Sequence, residues 1–422
     1  MSAGLDARRV AVDAVAAVLG KRIDLGRAFA PPASLTPADR GFAYSITTTT
    51  LRRLGEIDAL LSRFLDKPLP ARSGRARDLL RTATAQLACL GVAPYAAINT
   101  AVEIARADPG ARHFAGLVNA VLRKVANAGG IGAEADPGID TPAWLFDRWR
   151  VAYGDDRAAA IAAAHRSEPS LDITAKADAD RLATVLGGER LWNGTIRIAE
   201  TKGMIEALPE YADGTWWVQD QAAALPATLF RKAPVTALDV CAAPGGKTAQ
   251  LAARGAAVTA IDRSLQRLDV LRENLARLKL EVTVVAADFL EWTGTEKFDA
   301  VLLDAPCTAT GTVRRNPDIP WLRQPADVEK LAALQARLLD RAAQAVADGG
   351  TLVYCTCSLE PEEGERQIAP FLAAHPEFTL DPVTVADVAG HETLVTPEGF
   401  LRTLPCFGMD GFFAARLARK HR

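Results

Sequence analysis

The stretch 238-LDVCAAPGGKTAQLA-252 decides the fold. An apolar run feeds a Gly-containing turn and an amphipathic segment follows, so the pattern predicts a strand, a ligand-facing turn and a helix. Its tail, Gly246-Lys247-Thr248, is also how a phosphate-cradling P-loop ends. A P-loop needs its first Gly at position 241, where this chain has Cys241. Pro244 removes a further N–H donor from the curl. "FDAVLLDAP", Phe298 to Pro306, imitates a strand ending in a Mg²⁺-holding Asp, but the broken loop speaks against a nucleotide hydrolase. No G-x-G-x-x-G follows a strand either. What remains is a turn at Gly245-Gly246 that lets a ligand approach the backbone closely.

Outward from this turn, strands are expected at Val235–Val240, Ala257–Ile261, Val282–Ala286, Phe298–Leu303 and Thr351–Thr356. They alternate with helices, which predicts a parallel sheet covered on both faces. "DGFFAARLA", from Asp410, could supply an antiparallel edge strand. Asp262 ends "AVTAID", Asp288 ends "VTVVAAD" and Asp304 ends "FDAVLLD". Ligands of open α/β sheets sit beyond such strand tips. A carboxylate after the second strand suits ribose hydroxyls, and one after the third accepts from an adenine amino group. An adenosine ligand without phosphates is expected, and S-adenosylmethionine fits. A single aspartate of this kind reads as a helix N-cap, and Asp262 could be both. Three in register point to a ligand.

Two thiols share the same rim. Cys307 follows the fourth strand in "DAPCTATGT", and Cys357 ends the fifth in "LVYCTCSLEPEEGE". Cys89 and Cys355 read instead as small buried residues. The rim thiols suit a specific chemistry. Carbon 5 of a pyrimidine is too weak a nucleophile to take a methyl group until a thiolate adds at carbon 6 and makes the ring an enamine. A second group must then assist loss of the C5 proton and expulsion of the thiol. Asp304 could bond the N3/N4 edge of cytosine. Lys247, Arg314 and Arg315 are candidates for a charge that favours the thiolate. Spacing alone does not rank the two thiols. No His lies in these motifs, which argues against Cys–His acyl transfer.

The chain has 422 residues, 49% hydrophobic and 24% charged, and is expected to be multidomain and globular. Six cysteines without C-x-x-C spacing and five scattered histidines predict neither disulfides nor a metal site. The N-terminus lacks an apolar signal region and no run reaches membrane-spanning length, so a cytoplasmic protein is expected. Residues 5–127 show apolar residues at helical spacing, broken by Pro31-Pro32, Pro68, Pro94 and Pro109-Gly110. Residues 1–130 carry 18 Lys and Arg against 10 Asp and Glu, a net +8, while the remainder carries 31 against 41, a net −10. A basic module on an acidic body points to a polyanionic partner. The expected organisation is an all-α bundle at 1–130, a Gly-, Pro- and acid-rich linker at 131–142, a small α+β (RRM-like) module at 143–215, and a Rossmann-like α/β domain at 216–422.

"DVCAAPGGKT", "DAPCTATGTVRRNPDI", "YCTCSLEPEEGE", "DGFFAARL" and the upstream "WWVQDQAA" together resemble the Sun/RsmB group of RNA (cytosine-5) methyltransferases. In front, "LTPADRGFAYSI", "PYAAINTAVEIA" and "GLVNAVLRKVA" resemble the helical RNA-binding domain of the antitermination factor NusB, which this group carries N-terminally. The resemblance implies a cytosine of small-subunit (16S) ribosomal RNA as substrate. It implies that Cys241, Ala242, Ala243, Pro244, Gly245, Gly246, Lys247, Asp262, Asp288 and Asp304 contact S-adenosylmethionine. It makes Cys357 the nucleophile and Cys307 the thiol that assists release. RNA is the implied partner; a membrane is not, and nothing implies an oligomer, so a monomer is expected. The rival reading is a NusB-like RNA-binding or antitermination protein whose methyltransferase domain is non-catalytic. The sequence departs from the pattern at Asn316 and Pro320, where relatives often have His and a basic residue, and at Cys406-Phe407, where a more polar pair is expected.

Overall fold

The computed structural model describes residues 3–70, 72–130, 136–199 and 203–421, so part of the expected linker, 131–135, lies outside the described residues. The chain divides into two compact units, Met1–Ser167 with Val313–Arg323, and Glu168–Thr312 with Gln324–Arg422.

The first unit is helical: α1 (Ala3–Lys21), α2 (Leu25–Ala28), α3 (Pro37–Arg52), α4 (Leu54–Ser62), α5 (Ala76–Ala88), α6 (Pro94–Ala107), α7 (Ala115–Asn127), α8 (Ala143–Tyr153) and α9 (Asp155–His165). Local chemistry sets the starts. The Thr36 hydroxyl accepts from Asp39 N ahead of Pro37, and Pro94 opens α6. Leu79, Leu80 and Ala83 of α5 join Val118, Val121 and Leu122 of α7 in one core. The apolar run 41–65 reads as one helix but breaks at Arg53, which separates α3 from α4. Next to the break, Gly55 lies against Ile139, whose carbonyl oxygen would stand 1.8 Å from an added Cβ. Glu56 N donates to Asp140 Oδ1 (3.0 Å) and the buried Glu56 carboxylate pairs with Arg53 and Arg166.

Those contacts draw the segment beyond the linker into the helical unit. Leu145, Trp149 and Ile161 are buried, so α8 and α9 belong there and the division falls after Ser167 rather than at 142/143. His165 packs edge-on against Trp149, and burial pulls its imidazole down to about 3, with Arg314 and Arg52 adding to the effect. Val313–Arg323 is also part of this unit. Trp321 Nε1 donates to Leu51 O (2.9 Å), Leu25 N to Asp318 Oδ2 (2.8 Å) and Arg52 to Arg314 O (2.9 Å).

The second unit begins with β1 (Leu171–Ala175), α10 (Ala179–Leu186), β2 (Glu189–Arg190), β3 (Ile196–Ile198) and β4 (Trp216–Val218). These strands form an antiparallel sheet in the order β2-β3-β1-β4, with Ile173 facing Ile196 on one side and Val218 on the other. The "WWV" segment, expected to open the α/β domain, therefore completes the small sheet.

The large sheet follows: α11 (Gln221–Thr228), β5 (Thr236–Val240), α12 (Gly246–Ala253), β6 (Ala257–Asp262), α13 (Leu265–Leu278), β7 (Thr283–Ala286), β8 (Phe298–Asp304), the helical turn α14 (Ile319–Leu322) of the first unit, α15 (Pro325–Ala343), β9 (Val346–Thr356), α16 (Glu365–Ala374), β10 (Phe378–Leu380), β11 (Leu401–Arg402) and β12 (Phe413–Arg419). The order is β10-β12-β9-β8-β5-β6-β7, with β5 to β9 mutually parallel. The C-terminal strand β12 is antiparallel, but it is not the edge: three-residue β10 pairs outside it, too short to read from alternation. Leu238, Val240, Val301 and Leu303 pack with Leu338 and Leu339, whereas Ala237, Leu302 and Val353 pack with Leu225 and Leu251. Burial on both faces is why these strands are almost wholly apolar. Chain order reverses between β5 and β8, which opens a crevice beyond their C-terminal ends. Among the described residues, no helix is long and apolar enough to cross a membrane, and no His, Cys, Asp and Glu cluster could hold a metal.

Candidate active site

The turn after β5 is built from backbone. Cys241 takes φ 61° and Gly245 φ 103°, the Ala243–Pro244 peptide is cis, and α12 starts at Gly246. A Cβ on Gly246 would come 3.3 Å from the Gln219 amide. Ala242 N donates to Ile261 O (3.1 Å) and Ala243 N to Asp262 Oδ2 (3.2 Å). Asp262 Oδ1 accepts from Ser264 N (2.9 Å), while Ser264, not Asp262, caps α13. Asp262 thus ties two strand-end turns together and keeps acceptor capacity to spare. Asp262 and Asp288 line one pocket with Cys241, Arg263, Phe289 and Pro306. Two carboxylates between apolar walls fit an adenosyl group: acceptors for hydroxyl and amine donors, and flat surface for a ring. Burial, with Asp262 and Asp304 adding, pushes the Cys241 thiol up to about 12, so it stays protonated.

Asp304 is placed differently. Its Oδ2 accepts from Lys247 Nζ (2.9 Å) and its Oδ1 lies 3.6 Å from Cys355 Sγ. Burial pulls the Lys247 ammonium down, but Asp304, with Cys355 and Cys357, outweighs it and holds Lys247 above its ordinary value. Behind this pair lies Asp239, buried inside β5, whose Oδ2 accepts from Thr248 Oγ1 (2.6 Å). Burial raises its carboxyl to about 7. Cys355 is fully buried, whereas Cys89 is only half-buried at the end of α5.

Cys307 and Cys357 are half-buried, with their sulfurs 3.3 Å apart. The hydrogen bond to Cys357, then burial, holds the Cys307 thiol well above its ordinary value. The Lys247 ammonium is within electrostatic reach of Cys357. Of the cations expected near the thiols, Lys247 is in this unit. Arg314 and Arg315 belong to the segment of the helical unit, where the Arg314 carbonyl accepts from Arg52.

The thiol pair rests on a residue that sequence reading passed over. Glu363 is fully buried and accepts from Thr308 N (2.9 Å), the Thr308 hydroxyl, Ser358 Oγ (2.5 Å) and Gln335 Nε2 (3.0 Å). Thr308 follows Cys307 and Ser358 follows Cys357, so one carboxylate clamps both thiol loops. Gly311 N donates to Cys357 O (3.0 Å), Leu359 N to Thr310 Oγ1 (2.9 Å), and Gly411 N to Gly311 O (2.8 Å). A Cβ on Gly311 would lie 1.9 Å from Gly411 O, which explains Gly at both sites. In the sequence, "EPEEGE" stands only as the tail of the Cys357 motif. The available signal was Gly364, whose added Cβ would meet Phe413 at 2.9 Å and which marks a tightly packed turn.

A mixed sheet whose parallel part opens on a strand and a Gly turn, with acidic strand tips and a pocket fit for an adenosyl group, defines an S-adenosylmethionine-dependent methyltransferase, here with two thiols on the rim. The 16S rRNA methyltransferase RsmB/F family matches residues 227–418, and the NusB family matches residues 5–127. A ribosomal RNA small subunit methyltransferase B from Xanthomonas campestris is 35% identical over 99% of this chain and 98% of its own length. One from Vibrio cholerae is 34% identical over 97% of each chain. The crystal structure of PH0851 shares the fold over 99% of both chains, with a TM-score of 0.78 at 24% identity. The chain belongs to the ribosomal RNA small subunit methyltransferase B family.

Proposed function

We propose that this protein methylates carbon 5 of a cytosine in small-subunit (16S) ribosomal RNA, with Cys357 as nucleophile and Cys307 as the assisting thiol. The observation that carries the reading is the 3.3 Å thiol pair at the ends of adjacent strands, beside the Lys247–Asp304 pair. Cys307, whose thiol is held well above its ordinary value by its hydrogen bond to Cys357 and by burial, suits the assisting role, and Cys357 the attack on carbon 6. Lys247 is the cation within electrostatic reach of the Cys357 sulfur. Asp262 and Asp288 would hold the ribose and adenine ends of S-adenosylmethionine. When bound, S-adenosylmethionine supplies an electrophilic methyl group to carbon 5. Asp304, partly exposed, is placed to accept from the cytosine N4 amine. Loss of the C5 proton expels the Cys357 sulfur and restores the aromatic ring; Cys307 gives its proton to the departing sulfur and, as the resulting thiolate, takes the proton from carbon 5.

The target base must leave its stack to reach such a rim, and the basic helical domain would grip the surrounding RNA. A monomeric cytoplasmic enzyme is the simplest form of this reading. Bisulfite mapping of 16S rRNA from cells lacking the protein, with and without purified enzyme, tests it. One cytosine should lose and regain its 5-methyl group, and an unchanged map would sink the reading.

A further inference from the structure

The helical unit carries a pocket of about 700 Å³ outside the methyl-transfer site. Arg22 and Phe29, just beyond α1 and α2, and Tyr44 of α3 line it on one side, and Asn316, Asp318 and Arg323 of the Val313–Arg323 segment on the other. Its size is that of a site for a nucleotide-sized ligand. Phe29 and Tyr44 form an edge-on pair with centroids 5.2 Å apart, and Tyr44 is 42% exposed, so aromatic surface faces the opening. The sequence departures Asn316 and Pro320 separate here: Pro320 is buried, whereas Asn316 is exposed on the pocket wall.

We propose that this pocket holds an unpaired nucleotide of the substrate RNA and that Asn316 reads its base. This rests on the RNA-methylation reading above and deepens it. The aromatic pair offers a stacking platform that accepts any base. Arg22 and Arg323 supply guanidinium groups for the backbone phosphate. Asp318, with Oδ2 fixed by Leu25 N (2.8 Å), sets a carboxylate on the same wall, which repels a bare phosphate and suits a base that donates from an exocyclic amine. The Asn316 amide both donates and accepts, so it can match one base edge and mismatch another. One wall of the pocket, with Arg22, Phe29 and Tyr44, comes from residues 1–130, whose net charge is +8. Its Asn316 wall follows Cys307 by nine residues, so a base held here bears on a segment continuous with the thiol loop.

The test uses full-length protein, transcripts of 16S rRNA segments and tritiated S-adenosylmethionine, with RNA binding measured separately from methyl transfer. Tyr44→Ala should weaken RNA binding and raise KM for RNA about tenfold, Tyr44→Phe should restore both, and cofactor affinity should hold. Arg22→Ala with Arg323→Ala should flatten the salt dependence of RNA binding. Asn316→Asp should change which base is preferred at one position near the target. Wild-type methylation with unchanged RNA affinity in every variant overturns this inference and leaves the methylation reading intact. RNA binding that weakens in the variants while the wild type methylates no rRNA supports the pocket and overturns the reaction instead.

Discussion

The two halves of the methyl-transfer rim are built by different means. On the cofactor side, the turn from Cys241 to Gly246 is held by backbone conformation and by Asp262 bridging two neighbouring turns. On the thiol side, Cys307 and Cys357 are set by buried side chains, with Glu363 gathering donors from loops about fifty residues apart in sequence. The first arrangement tolerates an open pocket that a ligand enters and leaves. The second holds two sulfurs at one separation, as a covalent step requires. Binding is served by a shaped backbone, and bond formation by a rigid internal network.

The sharpest break between the halves is at the sulfurs. Cys357→Ala should abolish methyl transfer with cofactor affinity intact, because the pocket of Asp262 and Asp288 does not include it. Cys307→Ala should accumulate a protein–RNA adduct that survives denaturing electrophoresis. Adduct accumulating in the Cys357 variant instead would exchange the two roles.

Next is Glu363→Ala, which strands the Thr308, Ser358 and Gln335 donors, each loss worth about 1–3 kcal/mol if left unsatisfied. Thermal stability and adduct formation should both fall, with cofactor affinity in the surviving folded protein close to wild type by calorimetry. Glu363→Gln should recover part of the stability, since its carbonyl still accepts while its amide meets donors. Cofactor affinity that drops in step with adduct formation would mean the two halves are one structure.

The same division explains what could be read beforehand. Cys241, Gly245 and Gly246 announce themselves because a turn needs particular residues at particular positions within a few bonds. The aspartates follow from strand ends, which apolar runs locate well. The thiols could be placed on one rim but not ranked, and Glu363, which ties their two loops together, looks like any acid in "EPEEGE". The assignment of Arg314 to the helical unit is hidden in the sequence for a related reason. This residue stands seven residues after Cys307, yet the chain enters the helical unit at Val313, and only long-range contacts such as Trp321 to Leu51 reveal that. Strand β10 and the placement of "WWV" in the small sheet are likewise set by partners remote in sequence.

A smaller effect is expected on the cofactor side. Asp262→Asn keeps size and one acceptor but removes the charge that hydroxyl donors favour. Cofactor Kd should rise about tenfold, since hydrogen bonds to charged groups contribute about 1.5–3 kcal/mol. The alkylation rate of Cys307 and Cys357 should not change. A slower thiol reaction in this variant would show that the cofactor turn helps to set the sulfurs.

The mildest test concerns the floor beneath the cofactor turn. Asp239 titrates at about 7 in the folded protein because of burial, against about 3.9 in an unfolded chain. Below pH 4 both states are protonated and the carboxyl costs nothing. Between pH 4 and 7 the unfolded chain ionises first, so folded stability falls as pH rises, and above 7 the loss is constant. Asp239→Asn never ionises and still accepts from Thr248, so its melting temperature should match wild type at pH 4 and exceed it at pH 8. Asp140, also raised to about 7 by burial, acts in the same range but is common to both proteins and cancels in the difference. A gap independent of pH would mean Asp239 is ionised in the folded state throughout. The cofactor turn would then rest on a buried charge held by Lys247, much as the thiol loops rest on Glu363, and the contrast between the two halves would narrow.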